Sequence, residues 1–191
     1  MKVIGISGSP RAGGNTERMI RRVFSILEKE GIDTELIQIG GKPLRGCIAC
    51  RKCYENKDQK CAVTTDDLNE YFQRISQADA ILLGSPTYFA DVSAEMKAFI
   101  DRCGMLARAN GDVLQRKVGA AIVTARRGGA IHTFDTINHF FFISQMIVPG
   151  STYWNVGLGK AAGEVENDEE GMATMDTLGI NMAWLLKKIN Q

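Results

Sequence analysis

Four of the five cysteines in this chain stand in one short stretch, spaced Cys47-x2-Cys50-x2-Cys53-x7-Cys61. Three thiolates placed three residues apart can wrap one small inorganic core. A fourth on a returning loop completes four ligands, the way a compact [4Fe-4S] cluster is held. Structural zinc usually takes two Cys-x-x-Cys pairs with a longer gap. A redox dithiol or a set of empty thiols uses the same residues, so three chemistries stay open here. Between Lys42 and Lys60 six Lys or Arg stand against two Asp or Glu. That local positive excess offsets the charge of a tetrathiolate centre. Gly46, just before the first cysteine, suits a tight loop. In a chain of the reducing cytoplasm, clustered cysteines bind metal or do redox work rather than pair as disulfides. Cys103 lies apart, late in a helical stretch, and reads as a small buried side chain.

A second group of residues carries phosphate chemistry. Ser7-Gly8-Ser9-Pro10-Arg11-Ala12-Gly13-Gly14-Asn15-Thr16 follows an apolar run and leads into a helical one. Hydroxyls, glycines that allow close backbone approach, one Arg and a helix N-terminus suit an anion. The loop lacks the Gly-Lys-Ser/Thr ending of a Walker A motif and the Gly-x-Gly-x-x-Gly of a dinucleotide fingerprint. A single monophosphate fits it best, on Ser7, Ser9, Pro10, Arg11, Gly14, Asn15 and Thr16. Ser85-Pro86-Thr87-Tyr88-Phe89 brings two adjacent aromatics suited to a flat ring system. Thr124-Ala125-Arg126-Arg127-Gly128-Gly129 offers a close backbone approach at Gly128 and Gly129. Its arginines can offset negative charge on a reduced ring or on the phosphate of a second substrate.

These loops need a frame, and the hydropathy pattern supplies one. Short apolar runs at 2–7, 33–39, 79–84, 117–124 and 146–148 read as buried strands. Between and after them, 15–29, 66–77, 93–106, 130–144 and 168–189 have helical character. Met19, Ile20, Val23, Phe24 and Leu27 recur at helical spacing. Asn15 or Thr16 is the expected cap of that helix, and Gly31 its end. Strand and helix alternate five times with continuously apolar strands, which predicts an α/β fold. It is a three-layer, doubly wound sheet of five parallel strands in the order 2-1-3-4-5. The whole of 1–191 reads as a single flavodoxin-like domain with a Cys-rich insertion at about 41–64. In such a sheet ligands sit beyond the carboxyl ends of strands 1 and 3. The phosphate, aromatic and arginine loops all leave that edge, and so does the Cys-rich loop after strand 2.

Gly8-Ser9-Pro10-Arg11 with Gly14-Asn15-Thr16, then Gly84-Ser85-Pro86-Thr87-Tyr88, then Lys97-Ala98-Phe99-Ile100-Asp101-Arg102 resemble the flavodoxin-fold NAD(P)H-dependent FMN reductases. The resemblance runs from Met1 to about Gly150. It implies FMN with its phosphate at Ser7–Thr16 and its ring flanked by Pro86–Phe89 and Arg126–Gly129. It also implies that Lys97–Arg102 lies near the flavin and a dimer interface, in a homodimer or a dimer of dimers. Within this family the cysteine run resembles that of the iron–sulfur flavoproteins, with Cys47, Cys50, Cys53 and Cys61 as the metal ligands. Its last gap of seven residues is at the long end of the family's range.

Composition narrows the remaining choices. Lys plus Arg number 23 against 22 Asp plus Glu, a net charge of +1. That balance gives no basic face for nucleic acid and no acidic excess for disorder. The longest uncharged run, Thr136 to Gly159, contains Asn138, Gln145 and Pro149 and makes a poor membrane span. No secretory signal opens the chain, so a soluble cytoplasmic protein is expected. His132 and His139 share a helix face with no acid or nucleophile placed to pair with them, and read as packing or interface residues. The acidic stretch 164–170 reads as a solvated approach to the last helix. Three functions follow. The first is an FMN-dependent electron-transfer oxidoreductase with a [4Fe-4S] cluster; no side chain then has to act as acid or base. The second is a cluster-free NAD(P)H-dependent FMN or quinone reductase, with Arg126 or Arg127 on the nicotinamide phosphate. The third is a zinc-stabilised binding module without turnover. A small molecule or a ferredoxin-type protein would serve as electron donor or acceptor.

Overall fold

The computed structural model describes residues 1–190. Continuous apolar runs become central strands because both of their faces are covered. β1 (Lys2–Ser7), β3 (Ala80–Pro86) and β4 (Val118–Ala125) are buried along nearly their whole length. β2 (Asp33–Gln38), at one edge, is only partly so. With β5 (Val156–Leu158) they make one parallel sheet in the order β2-β1-β3-β4-β5, the predicted topology. Val3 stands opposite Thr34 on one side and Ala80 on the other, and Ala80 opposite Val118, so the central strands start level with one another.

Helices cover both faces. α1 (Asn15–Lys29) and α6 (Glu169–Ile189) pack one core around Met19, Ile20, Val23, Leu27, Leu178 and Met182. α3 (Leu68–Gln77), α4 (Ala94–Ala109) and α5 (Ala130–Ile143) pack the other around Phe72, Phe99 and Phe141. Full burial of such side chains contributes roughly 1.5–3 kcal/mol each, which outweighs helix propensity in holding these helices down. A one-turn helix, α2 (Lys52–Asn56), and a 3-10 turn at Glu164–Asn167 add to the expected elements. The acidic stretch is more than a solvated approach. Asp168 caps α6 through the Gly171 N–H, and Glu164 accepts the N–H groups of Lys160 and Ala161.

The fifth strand lies later than the apolar run at 146–148 predicts. Ile147 makes a single parallel bridge to Val118, exchanging bonds with Lys117 and Gly119. Pro149 lacks an N–H to continue the ladder, and the chain leaves the sheet. It returns so that Val123, Thr124 and Ala125 face Val156, Gly157 and Leu158. Asn155 bridges the break: its side-chain Nδ2 donates to the Ala121 carbonyl at 3.0 Å, where a strand N–H is missing. Among the described residues, no helix is long and apolar enough to cross a membrane.

Candidate functional site

The carboxyl ends of β1, β3 and β4 open into a cavity of about 280 Å³. The loop after β1 contributes Ser9, Arg11, Asn15 and Thr16, the loop after β3 Pro86, Thr87 and Tyr88, and the loop after β4 Thr124 and Arg126. These nine predicted residues come together from three segments of the chain. Ala125, Gly159 and Lys160 also line the cavity and were missed, the last two because the fifth strand was placed too early. The signal was present in Gly157-x-Gly159-Lys160, a glycine pair followed by a cation. No Asp or Glu lines the cavity, while Arg11, Arg126 and Lys160 do, so its electrostatics favour an anion.

Other predicted residues stand outside the lining. Ser7 is fully buried at the end of β1, and its hydroxyl has no hydrogen-bond partner. Gly14 is the N-cap of α1, and Pro10 is exposed. Ser85 accepts the Ser93 N–H at 3.0 Å and donates to the Pro86 carbonyl, so it braces the loop. Phe89 and Ala90 are the two central residues of a tight turn closed by Tyr88 and Asp91, both at positive φ (48° and 63°). That turn points Phe89 fully into solvent, while the half-exposed Tyr88 stays against the cavity. Arg127, Gly128 and Gly129 are exposed just before α5, and Gly129 has the left-handed φ of 83° its cap position requires. His132 and His139 are exposed on α5.

Neither Asn15 nor Thr16 caps α1. No side chain does, so the N–H groups of its first turn remain available to a ligand. Asn15 is drawn instead to the loop after β5. It donates to the Ala161 carbonyl at 2.9 Å and accepts the Gly163 N–H at 2.8 Å. Thr16 and Thr124 share a buried hydroxyl pair at 2.8 Å, tying the β1 loop to the end of β4. Gly40 allows the chain after β2 to lie directly on the Ser9 carbonyl, and the Gln38 side-chain amide donates to the same oxygen.

The Cys-rich loop begins at this edge, where the Gly41 N–H meets Glu95 at 3.0 Å. It then runs down the outer side of α4. Cys47, Cys50, Cys53 and Cys61 all line one small pocket with Arg102, Met105 and Leu106. Nine residues separate Arg102 from the Ser93 cap, so this pocket lies roughly 14 Å along the helix axis from the sheet edge. The loop leaves β2 at the edge the sequence predicts, but its cysteines lie away from that edge, so the two sites share the protomer without adjoining. Four non-glycine residues of the loop have positive φ: Ala49, Arg51, Lys57 and Gln59. Such strain persists only where the surroundings impose it. The Ala49 N–H donates to the Cys47 sulfur at 3.4 Å. Asn69 grips the Cys61 backbone through both its N–H and its carbonyl. Burial pushes the Cys53 thiol up, with the charges of Cys50 and Cys61 adding and the N–H groups of Tyr54 and Cys53 opposing. Cys103 is fully buried, which pushes its thiol up and leaves it inert.

Among the described residues no three His, Cys, Asp or Glu converge closely enough for one metal ion. A four-iron cluster is wider than one ion and holds its thiolates farther apart. Four cysteines around one pocket, with N–H groups turned toward sulfur, fit that larger core better than zinc. The unpartnered Ser7 hydroxyl and the uncapped α1 fit a phosphate at the other site.

A switch-point cavity walled by hydroxyls, cations and a free helix N-terminus defines a flavodoxin-type mononucleotide-binding protein. The comparisons agree. The NADPH-dependent FMN reductase family matches residues 1–161. An iron-sulfur flavoprotein of Methanocaldococcus jannaschii is 41% identical over 198 aligned positions, covering 100% of both chains. One from Methanosarcina thermophila is 33% identical over 193 positions, covering 100% of this chain and 98% of the relative. The chain belongs to the NADPH-dependent FMN reductase family, on its iron–sulfur flavoprotein branch, and is an FMN-dependent oxidoreductase. Solved structures show the same fold. RosB with a bound flavin-phosphate intermediate has a TM-score of 0.78 at 18% identity, over 100% of this chain and 80% of that one. A flavodoxin from the domain Archaea has a TM-score of 0.63 at 20% identity, over 98% and 99%.

Proposed function

We propose that this protein passes electrons between FMN in the carboxyl-edge cavity and a [4Fe-4S] cluster on Cys47, Cys50, Cys53 and Cys61. The observation that carries this reading is the convergence of all four cysteines on one pocket of a flavin-family chain. FMN, when bound, joins two-electron to one-electron chemistry, and the cluster carries single electrons. The chain's own residues bind and orient. The α1 N-terminus, Ser7, Ser9 and Arg11 would take the phosphate, with Thr16 holding its loop to β4 through Thr124. Pro86, Thr87, Tyr88 and Arg126 would flank the ring. No acid–base side chain is assigned. NAD(P)H, a quinone or a ferredoxin-type protein is the external donor or acceptor, and a reducing cytoplasm would keep the thiols available. Exposed Phe142, Tyr153 and Trp154 give an apolar face consistent with a homodimer or homotetramer.

The test is anaerobic purification, a visible spectrum, and iron and sulfide counted per FMN. About four iron per chain with absorption beyond the flavin bands supports the proposal. Flavin bands alone, with four titratable thiols, overturn it. That result would favour the cluster-free NADPH-dependent reductase, for which Arg126 at the cavity and exposed Arg127 beside it offer nucleotide-phosphate partners.

The phosphate loop has its own test. A methyl group at Gly40 collides with the Ser9 backbone, which has little room to give. Gly40→Ala is expected to lower stability by about 1–3 kcal/mol, as overpacking does, and to reduce bound FMN. Urea midpoints and FMN per chain measure both; an unchanged pair of values contradicts the assignment of this loop.

A further inference from the structure

Arg102 is the largest fully buried side chain among the described residues, and it stands in the wall of the cysteine pocket. Burying a guanidinium is costly unless charge and hydrogen bonds compensate. Part of that compensation is visible. Nη1 meets Asp66 at 2.5 Å and the Arg45 carbonyl at 3.1 Å, and Nη2 meets the Val63 carbonyl at 3.0 Å. Asp66 also accepts the Arg45 N–H at 3.0 Å. One guanidinium thus fastens both stems of the Cys-rich loop, Arg45 before Cys47 and Val63 after Cys61, onto α4. Its Nε is buried with no hydrogen-bond partner. A charged group whose remaining donor is unused, beside four thiols, has a role that loop closure alone does not exhaust.

We propose that Arg102 is the electrostatic tuning residue of the cysteine pocket: its buried positive charge favours the reduced, more negative state of the centre held there. This rests on the cluster reading above. Cluster potentials respond to nearby net charge and to hydrogen bonds to sulfur, and a buried charge is poorly screened. Asp66 sets the strength of the effect, because its carboxylate offsets the guanidinium without itself lining the pocket. Burial lowers the Arg102 pKa, but Asp66 and then the Cys61 side chain raise it and outweigh burial, in keeping with a cation that faces sulfur.

The two charges therefore make opposite predictions, which a purely structural clamp does not. The test is a dithionite titration of the anaerobically prepared holoprotein at pH 8, followed by the paramagnetic signal of the one-electron-reduced centre. Each centre takes one electron from the reductant. Arg102→Gln removes the cation but keeps an amide for the loop carbonyls. At fixed ambient potential its reduced-to-oxidised ratio is expected to fall about tenfold, equivalent to roughly 59 mV for a one-electron couple. Asp66→Asn keeps the cation and removes its counter-charge, and the ratio is expected to rise. Arg102→Lys, which retains the charge without the planar fork, stays near the parent. Shifts of the same sign in the first two variants, or none beyond twofold, overturn the proposal. If Arg102→Gln does not fold or hold iron, Asp66→Asn decides alone, and the lack of a rise overturns it. A parent protein without iron defeats the cluster reading first, and this proposal with it. Iron per chain, measured on every sample, separates those two failures.

Discussion

Cys61→Ala is expected to cut iron from about four per chain to near zero while FMN per chain stays unchanged. The choice of cysteine matters. Cys47 and Cys50 are exposed on a strained loop, where a change of side chain also disturbs the backbone. The backbone of Cys61 is held by Asn69 whatever its side chain. The substitution therefore removes a proposed cluster ligand and little else. FMN is spared because the cysteine pocket lies roughly 14 Å along α4 from the sheet edge. Iron and FMN analyses on the same anaerobic sample give the answer. Retention of four iron would show that Cys61 is not a ligand. Loss of iron and FMN together would show that the variant damaged the fold.

The second large effect concerns stability. Asp66→Ala leaves the buried Arg102 without its counter-charge and also orphans the Arg45 N–H. Breaking a buried ion pair from one side costs about 3–5 kcal/mol, well above the median surface pair. Urea denaturation of the protein measures it, and a loss below about 1 kcal/mol would contradict the buried-pair account. A double substitution, Asp66→Leu with Arg102→Met, is expected to recover much of the loss, because apolar groups leave no charge to desolvate. The pH dependence carries a sign. Burial raises the Asp66 carboxyl, but hydrogen bonds from Arg102 and the Arg45 N–H outweigh it and hold the group below its ordinary value. A depressed carboxylate contributes fully above the unfolded value of 3.8. Its contribution fades as pH falls through the lowered folded value. The parent should therefore lose stability across that acid range more steeply than Asp66→Ala.

What was legible in the sequence and what was not divides along a physical line. Three buried strands showed as apolar runs because each run is covered on both faces. α1 showed as a 3.6-residue rhythm in Met19, Ile20, Val23, Phe24 and Leu27, all of them buried. The strand order followed from the alternation of elements, and the order placed three loops at one edge. The cysteine spacing and the glycine and hydroxyl loop announced their chemistry within a few residues each. These features depend on near neighbours in the chain, and local patterns record them.

Tertiary structure decided the rest. β5 is three residues long and exists because β4 offers it free ladder groups. The more apolar run at 146–148 has only one bridge to β4 before Pro149 turns the chain away. Asn15 has a good capping side chain but finds partners at Ala161 and Gly163, about 150 residues away. Lys160 reaches the cavity only because β5 ends where it does. Arg102 belonged, by resemblance, to a helix near the flavin and a subunit interface; its own side chain is buried under the cysteine loop and paired with a carboxylate 36 residues earlier. A periodic pattern reports which face of an element is apolar. It carries no record of which distant polar group will satisfy a buried charge or an open backbone bond, because that partner is chosen only when the elements pack.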